Sequence, residues 1–278
     1  MRVCLWTPGW IEHSAIWRNV RAACSIGLAD AGHVVEASLE VSEETECVVT
    51  WGLGHPASAG VMRGLVKCGV AVVGWDLGYW SRSTHYRVSV NAIHPQAIVM
   101  ARRREARPGT PTLRSDDNPN GPIVLVGIGR KSAATYDEKP GEWERDTLQR
   151  IKDVFPSRRI LFRPRERGSC LAELPHTETV DGPIEGVLKG ASLAVCRHSN
   201  VAVDAIIAGV PVIADDGAAA AICPHKIEAK PRKSSYEVRS QFLANLSWFQ
   251  WSKVEMREPA TWRAIAEMVE DAKERGVC

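Results

Sequence analysis

The stretch Ser192 to Ala220, SLAVCRHSNVAVDAIIAGVPVIADDGAAA, restricts the fold more than any other part of the chain. Ser192–Cys196 is a short apolar run of the kind that forms a strand buried on both faces. Arg197-His198-Ser199-Asn200 interrupts it with polar residues, two of them good helix N-caps. Ala202, Ala205, Ile206 and Gly209 then mark one stripe of a helix. Gly209 is placed to end that helix, and Pro211-Val212-Ile213-Ala214 begins a second buried strand, closed by Asp215-Asp216-Gly217. Strand, polar turn, helix and strand predict a βαβ unit. Its turn falls at the carboxyl edge of a parallel sheet, where α/β proteins bind ligands, and the N–H groups of a helix start favour phosphate there.

The same alternation runs through both halves of the chain. Before residue 118 it predicts strands at Met1–Trp6, Val34–Leu39, Glu46–Trp51 and Val70–Trp75, with helices within Ala15–Ala31 and over Ala57–Lys67. Arg107–Pro122 is rich in Pro, Gly, Asp and Asn without apolar periodicity and reads as an interdomain linker. Strands at Ile123–Val126, Arg159–Phe162 and Glu178–Val180 and a helix over Gly141–Val154 then precede the central unit. Ser240 to Gly276 reads as two amphipathic helices broken near Glu258-Pro259. The expected architecture is α/β: a Rossmann-like domain over 1–118 (linker about 107–122), a second over 119–240, and a helical tail over 241–278.

Composition narrows the class. With 278 residues, 45% hydrophobic and 24% charged, the chain has the material for a real core. No apolar run approaches the ~20 residues of a membrane span and no basic-then-apolar leader opens the sequence, so a cytoplasmic protein without a membrane partner is expected. The eight cysteines form no CxxC pair, and there is no HExxH, so neither zinc, an obligatory metal nor a structural disulfide is expected. Arginines cluster at 102, 103, 104 and 107 and at 158, 159, 163, 165 and 167. Such clusters serve equally as solvated faces or as partners of a polyanion or phosphorylated donor.

Three strand ends in the second half carry groups suited to phosphate. Gly127-Ile128-Gly129-Arg130-Lys131 lets backbone approach closely and adds two cations. Arg163 and Arg165 follow the next strand, and His198, Ser199 and Asn200 open the central helix. Asp204, one turn into that helix, is either a ribose ligand or a solvent-facing acid. In the first half, GWDLGYWSR followed by YRVSVNAIHP reads as a pocket beyond a strand end. Trp75, Tyr79, Trp80, Arg82, Arg87, Asn91 and His94 would line it, and Asp76 is the candidate general base. His55 and His13 are its rivals.

In HSNVAVDAIIAGVPVIADDG, and in the general layout, the chain resembles glycosyltransferases of the GT-B type. The resemblance implies two Rossmann-like domains with C-terminal helices packing back on the first. It also implies Ser199 and Asn200 at a donor diphosphate, Asp204 near ribose, and Gly129 and Arg130 in the phosphate loop. WDLGYWSR…YRVSVNAIHP with FLANLSWFQWSKVEM is similar to small bacteriophage-encoded glycosyltransferases linked to DNA base modification. From this follows the expectation of a transferase using a nucleotide sugar, UDP-linked in the first instance. Its acceptor would be a hydroxymethylated pyrimidine in double-stranded DNA, in the host cytoplasm. A transferase or epimerase acting on a small-molecule or surface-glycan substrate, and a silent nucleotide- or DNA-binding protein, are the alternatives.

Overall fold

The computed structural model describes residues 1–166, 168–228 and 233–277. In chain order these form β1 (Arg2–Trp6), α1 (Ala15–Asp30), β2 (Val34–Ser38), β3 (Cys47–Trp51), α2 (Pro56–Lys67), β4 (Ala71–Leu77) and β5 (His85–Val90). There follow β6 (Ile123–Val126), α3 (Arg130–Thr135), α4 (Glu142–Val154), β7 (Ile160–Arg163), β8 (Glu178–Thr179), α5 (Ile184–Leu188), β9 (Leu193–Cys196), α6 (Val201–Ala208) and β10 (Val212–Ala214). The last are α7 (Tyr236–Leu246), β11 (Gln250–Ser252) and α8 (Pro259–Glu274). The chain divides into two compact units, Met1–Arg102 with Leu246–Cys278, and Arg103–Asn245.

The first unit holds a six-stranded sheet in the order β11-β5-β4-β3-β1-β2. β1 to β4 are mutually parallel, and β5 and β11 add antiparallel strands at one side. Ser14 caps α1, its hydroxyl accepting the Trp17 N–H at 3.2 Å. The helix buries Trp17, Val20, Cys24, Gly27 and Leu28 along one stripe. At Gly27 a Cβ would lie 2.2 Å from the Met256 carbonyl oxygen and 2.5 Å from Trp262 Nε1. Glycine is what lets α1 meet the C-terminal segment this closely. Trp262 in turn packs edge-on to Trp75, ring centroids 6.1 Å apart, so α8 belongs to the core of the first unit.

The tail departs from two plain helices. α7 stops at Leu246, a 3-10 turn covers Ser247–Phe249, and β11 then pairs with β5. β5 itself lies in the stretch expected to be pocket loop. Tyr86, Val88 and Val90 alternate with Arg87 and Ser89, a strand pattern made two-sided by burial of all five.

The second unit is a parallel sheet in the order β10-β9-β6-β7-β8. β9, α6 and β10 reproduce the expected βαβ unit. Gly209 ends α6 at φ +81, where a Cβ would also lie 2.3 Å from the Arg114 carbonyl oxygen. That contact shows where residues 107–122 lie. Arg114 N–H donates to Ile207 O (2.7 Å), Asp116 N–H to Ala208 O (2.8 Å) and Asn118 N–H to Ala191 O (3.1 Å). The stretch is thus built into the second unit through its backbone, which is why it carries no apolar periodicity.

Candidate functional site

In the second unit β7 and β9 flank β6 on opposite sides, so the chain reverses its direction of winding at β6 and β9. The crevice outside the carboxyl ends of two such strands is the usual ligand position in an open α/β sheet. Two of the expected groups meet there: the loop after β6 and the turn between β9 and α6.

The glycine loop is packed from below and beside. A Cβ on Gly127 would touch the Phe162 ring at 3.0 Å, and one on Gly129 would lie 2.7 Å from an Arg165 guanidinium nitrogen and 2.9 Å from its Cδ. Arg165 therefore lies directly against the loop, and it also reaches the Ser132 hydroxyl at 3.5 Å. Arg130 and Lys131, in the first turn of α3, are exposed. The loop's backbone donors are largely committed: Gly127 N–H to Arg163 O (2.9 Å), Arg130 N–H to Gly168 O (2.8 Å) and Ile128 N–H to Glu144 Oε1 (3.0 Å). What the loop offers to solvent is therefore its cationic side chains more than a backbone cradle.

Glu144 was not legible as a site residue. It is 0% exposed on α4, and burial pushes its carboxyl above the ordinary carboxylate range despite the Ile128 N–H. Its Oε2 has no hydrogen-bond partner, nor has the Thr147 hydroxyl one turn further on.

At the α6 start, Ser199 Oγ accepts the Val201 N–H at 3.2 Å, and the Ser199 carbonyl accepts from Ala202 at 3.0 Å. Asn200, at the N-cap position, takes the Val203 N–H on its carbonyl rather than its side chain. His198, Ser199, Asn200 and Asp204 are all half-buried here. Arg163 is different. It is buried, and its guanidinium donates to Gly182 O at 2.8 Å and Glu166 Oε1 at 3.1 Å, a tie within the fold rather than a group offered to phosphate. Arg167 lies outside the described residues.

A further cluster at this edge escaped the sequence reading. The Tyr136 hydroxyl donates to Asp216, and the Arg197 guanidinium sits 4.4 Å from the Tyr136 ring centroid. Arg197 also pairs with Glu138 at 2.9 Å, and the His198 ring lies 5.0 Å from that of Tyr136. Trp143 Nε1 donates to Asp215 at 2.7 Å. Tyr136 and Glu138 follow a short helix with no periodic pattern, so only Asp215-Asp216 at a strand end hinted at the cluster.

The first unit has its own reversal, with β2 and β3 flanking β1. Trp6 ends β1, and Trp10 and His55 stand beyond the ends of β1 and β3. His55 caps α2, its Nδ1 accepting the Ala57 N–H at 3.3 Å, which puts the proton of the neutral ring on Nε2. Asp76 pairs across the sheet with Arg87: guanidinium to Oδ2 is 3.0 Å, while Oδ1 accepts the Leu77 N–H at 2.8 Å. Both carboxylate oxygens are engaged, leaving only second lone pairs for an acceptor hydroxyl. Buried Arg87 also donates to Ile93 O (3.1 Å) and contacts His94 Nδ1 (2.9 Å).

Several expected acceptor residues are structural. Trp75 and Tyr79 have no exposed surface, Trp75 against Trp262 and Tyr79 with its N–H on Gln250. Asn91 Oδ1 accepts the Val72 N–H at 2.8 Å, which holds the end of β5. The reason is common to all: the pocket loop is a hairpin whose alternate side chains face the core. Trp80 is half-buried beside Tyr79, and exposed Arg82 donates to Tyr79 O at 3.2 Å. His13 occupies an exposed turn after the 3-10 turn Gly9–Ile11 and enters neither group.

Among the described residues no three His, Cys, Asp or Glu side chains gather as a metal site, and no helix is long and apolar enough to cross a membrane.

No family model and no curated protein matches the chain in sequence. Solved structures do. The β-Kdo 2,7 transferase of KpsC from Thermosulfurimonas dismutans superposes with a TM-score of 0.57 at 15% identity, over 97% of this chain and 99% of that one. The β-Kdo 2,4 transferase of the same source gives 0.53 at 11% identity, over 97% and 98%. Both are Kdo transferases by name, and neither is of the phage DNA-modifying type expected from the sequence. The chain has the α/β fold of these glycosyltransferases, with two Rossmann-like domains.

Proposed function

We propose that the protein is a glycosyltransferase using a nucleotide sugar, with a sugar hydroxyl of a glycan as acceptor. The observation that carries the reading is the β6/β9 crevice, where the glycine loop, Arg165 and the α6 start meet, in a chain with the fold of two Kdo transferases. Arg130, Lys131 and Arg165 would neutralise the phosphate of the departing nucleotide; fixed cations there need no reorganisation as negative charge develops. Ser199 and Asn200 would contact the same phosphates and Asp204 the ribose. In the transfer, the acceptor oxygen bonds to the anomeric carbon, the bond from that carbon to phosphate breaks, and the acceptor proton passes to a general base. Asp76, fixed by Arg87, is assigned that role, ahead of His55, whose Nδ1 is spent on capping.

A glycan acceptor is preferred to a DNA base because Trp75 and Tyr79, which would have received an extruded base, are core residues. The test is thermal shift against nucleoside mono- and diphosphates and their sugars, UDP-sugars first. A ligand at 100 times its dissociation constant stabilises by about 2.7 kcal/mol. One responding nucleotide sets the donor; Asp76→Asn should then keep that shift and lose turnover. Silence across the panel refutes the donor site and returns the protein to the silent-binder class. Transfer to hydroxymethylated duplex DNA, steeply weakened by salt, would replace the glycan acceptor.

A further inference from the structure

At the reversal point of the first sheet a tryptophan is held open to solvent. Trp10 is 41% exposed, although the chain buries Trp17, Trp75, Trp251 and Trp262 almost completely. Its indole is not loose. Nε1 donates to the buried Ser58 hydroxyl at 3.1 Å, the Trp6 ring meets it edge-on at 5.7 Å, and the His55 ring stacks on it at 5.3 Å with planes 9° apart. Trp6 ends β1, Trp10 lies in the turn that follows, and His55 follows β3, so the stack sits over the crevice between β1 and β3. His55 is itself fixed by its capping bond to Ala57.

An aromatic ring whose plane is set by three neighbours while much of its surface stays wet has already lost its side-chain entropy. A flat apolar partner can then be stacked without further ordering cost. We infer that Trp10, backed by His55, is the platform for the acceptor: a pyranose ring whose C–H face lies on the indole. This inference rests on the glycosyl-transfer reading and supplies its acceptor subsite. The position is that of ligands in open α/β sheets generally, and it is independent of the phosphate crevice in the second unit. A pyranose fits better than a phosphorylated ligand because the exposed group of the stack is an aromatic face, which takes C–H contact and supplies no cation.

The test uses the full chain labelled with 15N, whose ten tryptophans give resolvable indole N–H signals. Trp10→Phe identifies the Trp10 signal. The probes are methyl β-glucopyranoside, methyl β-galactopyranoside and the methyl β-glycoside of Kdo at millimolar concentration. At least one should move the Trp10 signal and receive saturation transfer at its C–H protons. Trp10→Ala should weaken that sugar about tenfold, the loss of one aromatic stack, and Trp10→Phe should keep most of it. His55→Asn, which preserves a good helix cap, should weaken it less than Trp10→Ala does and provides the same test if the alanine variant folds poorly. Unchanged sugar binding in Trp10→Ala and His55→Asn, or a Trp10 signal silent to every probe, overturns the inference. Nucleotide thermal shifts on the same samples separate the two ideas. A retained nucleotide response with a silent Trp10 sinks only the platform, and a missing nucleotide response in the wild type sinks the donor reading whatever Trp10 does.

Discussion

Glu144 gives the sharpest test of how the glycine loop is held. Its carboxylate is fully buried and accepts the Ile128 N–H at 3.0 Å, in the middle of the glycine loop. In Glu144→Ala that N–H loses its partner, at a cost of about 1–3 kcal/mol, and the vacated volume adds to it. A total of about 2–4 kcal/mol lowers the melting midpoint of a chain this long by roughly 3–7 °C. Glu144→Gln keeps an oxygen for Ile128 and removes the buried charge. The loop should therefore survive in the glutamine variant and slacken in the alanine variant, and only the latter should lose its nucleotide-induced shift.

The pH dependence follows from the direction of the perturbation. Burial raises the folded-state pKa of Glu144 above the ordinary value of 4.5 that the unfolded chain retains. Between those two values the folded protein binds more protons than the unfolded one, so stability falls as pH rises through the window and levels off above it. Glutamine removes this dependence. Urea unfolding from about pH 4 to about pH 8 should find Glu144→Gln gaining on the wild type across the window, with the difference flat above it. If glutamine is as damaging as alanine at neutral pH, the charge itself is required and the reasoning fails.

Gly129→Ala places a methyl where the Arg165 side chain now lies, 2.7 Å from its guanidinium. A flexible arginine can move aside, so the melting midpoint should change by only about 2 °C while calorimetry finds nucleotide affinity reduced; unchanged affinity would remove Arg165 from the site. Arg87→Met abandons Asp76, Ile93 O and His94 together. The loss should be about 2–4 kcal/mol in urea unfolding, because removing a buried guanidinium strands the half-buried Asp76 and two further partners; a near-neutral result would show that the clasp is dispensable. Burial pushes the Cys47 and Cys223 thiols up to about 12, that of Cys4 to about 11, and those of Cys24 and Cys196 further, while Cys68 is exposed. Cys68→Ser should therefore remove one fast-reacting thiol from an Ellman titration of the native protein, and an unchanged burst would contradict the burial.

The parallel βαβ grammar was legible because it depends on local signals. The β9–α6–β10 unit could be read from an apolar run, a polar turn, a helical stripe and Gly209, each acting within a few residues. The hairpin β4–β5 was missed for the opposite reason. Asp76, Trp75, Tyr79 and Arg87 look like site chemistry in isolation, and only the cross-strand register turns Asp76 and Arg87 into a pair and Trp75 into a neighbour of Trp262. The partner of Trp75 lies at the far end of the chain. Glu144 and Tyr136 were invisible on the same grounds: their importance comes from the ends of β6 and β10, to which no spacing rule connects them.

The acids at the second crevice pose the remaining physical question, since carboxylates would repel the phosphate proposed to bind there. Asp215, Asp216 and Glu138 all stand at this edge, and each is tied: Asp215 to Trp143, Asp216 to Tyr136 and the Gly217 N–H, Glu138 to Arg197. Gly217 makes the turn after β10 possible, at φ +90 with a Cβ position 3.0 Å from the His198 carbonyl oxygen. The carboxylates thus brace the turns that end β9 and β10, each with at least one oxygen on a fixed donor, while Glu138 Oε2 is buried without a partner. The cations of the other arm, Arg130, Lys131 and Arg165, are carried on the loop after β6 and the end of β7. The edge is therefore divided, with acids spent on holding the α6 start in place and bases set around the glycine loop. That division predicts where an anion would settle: against Arg165 and the first turn of α3, with the α6 start as the opposing wall.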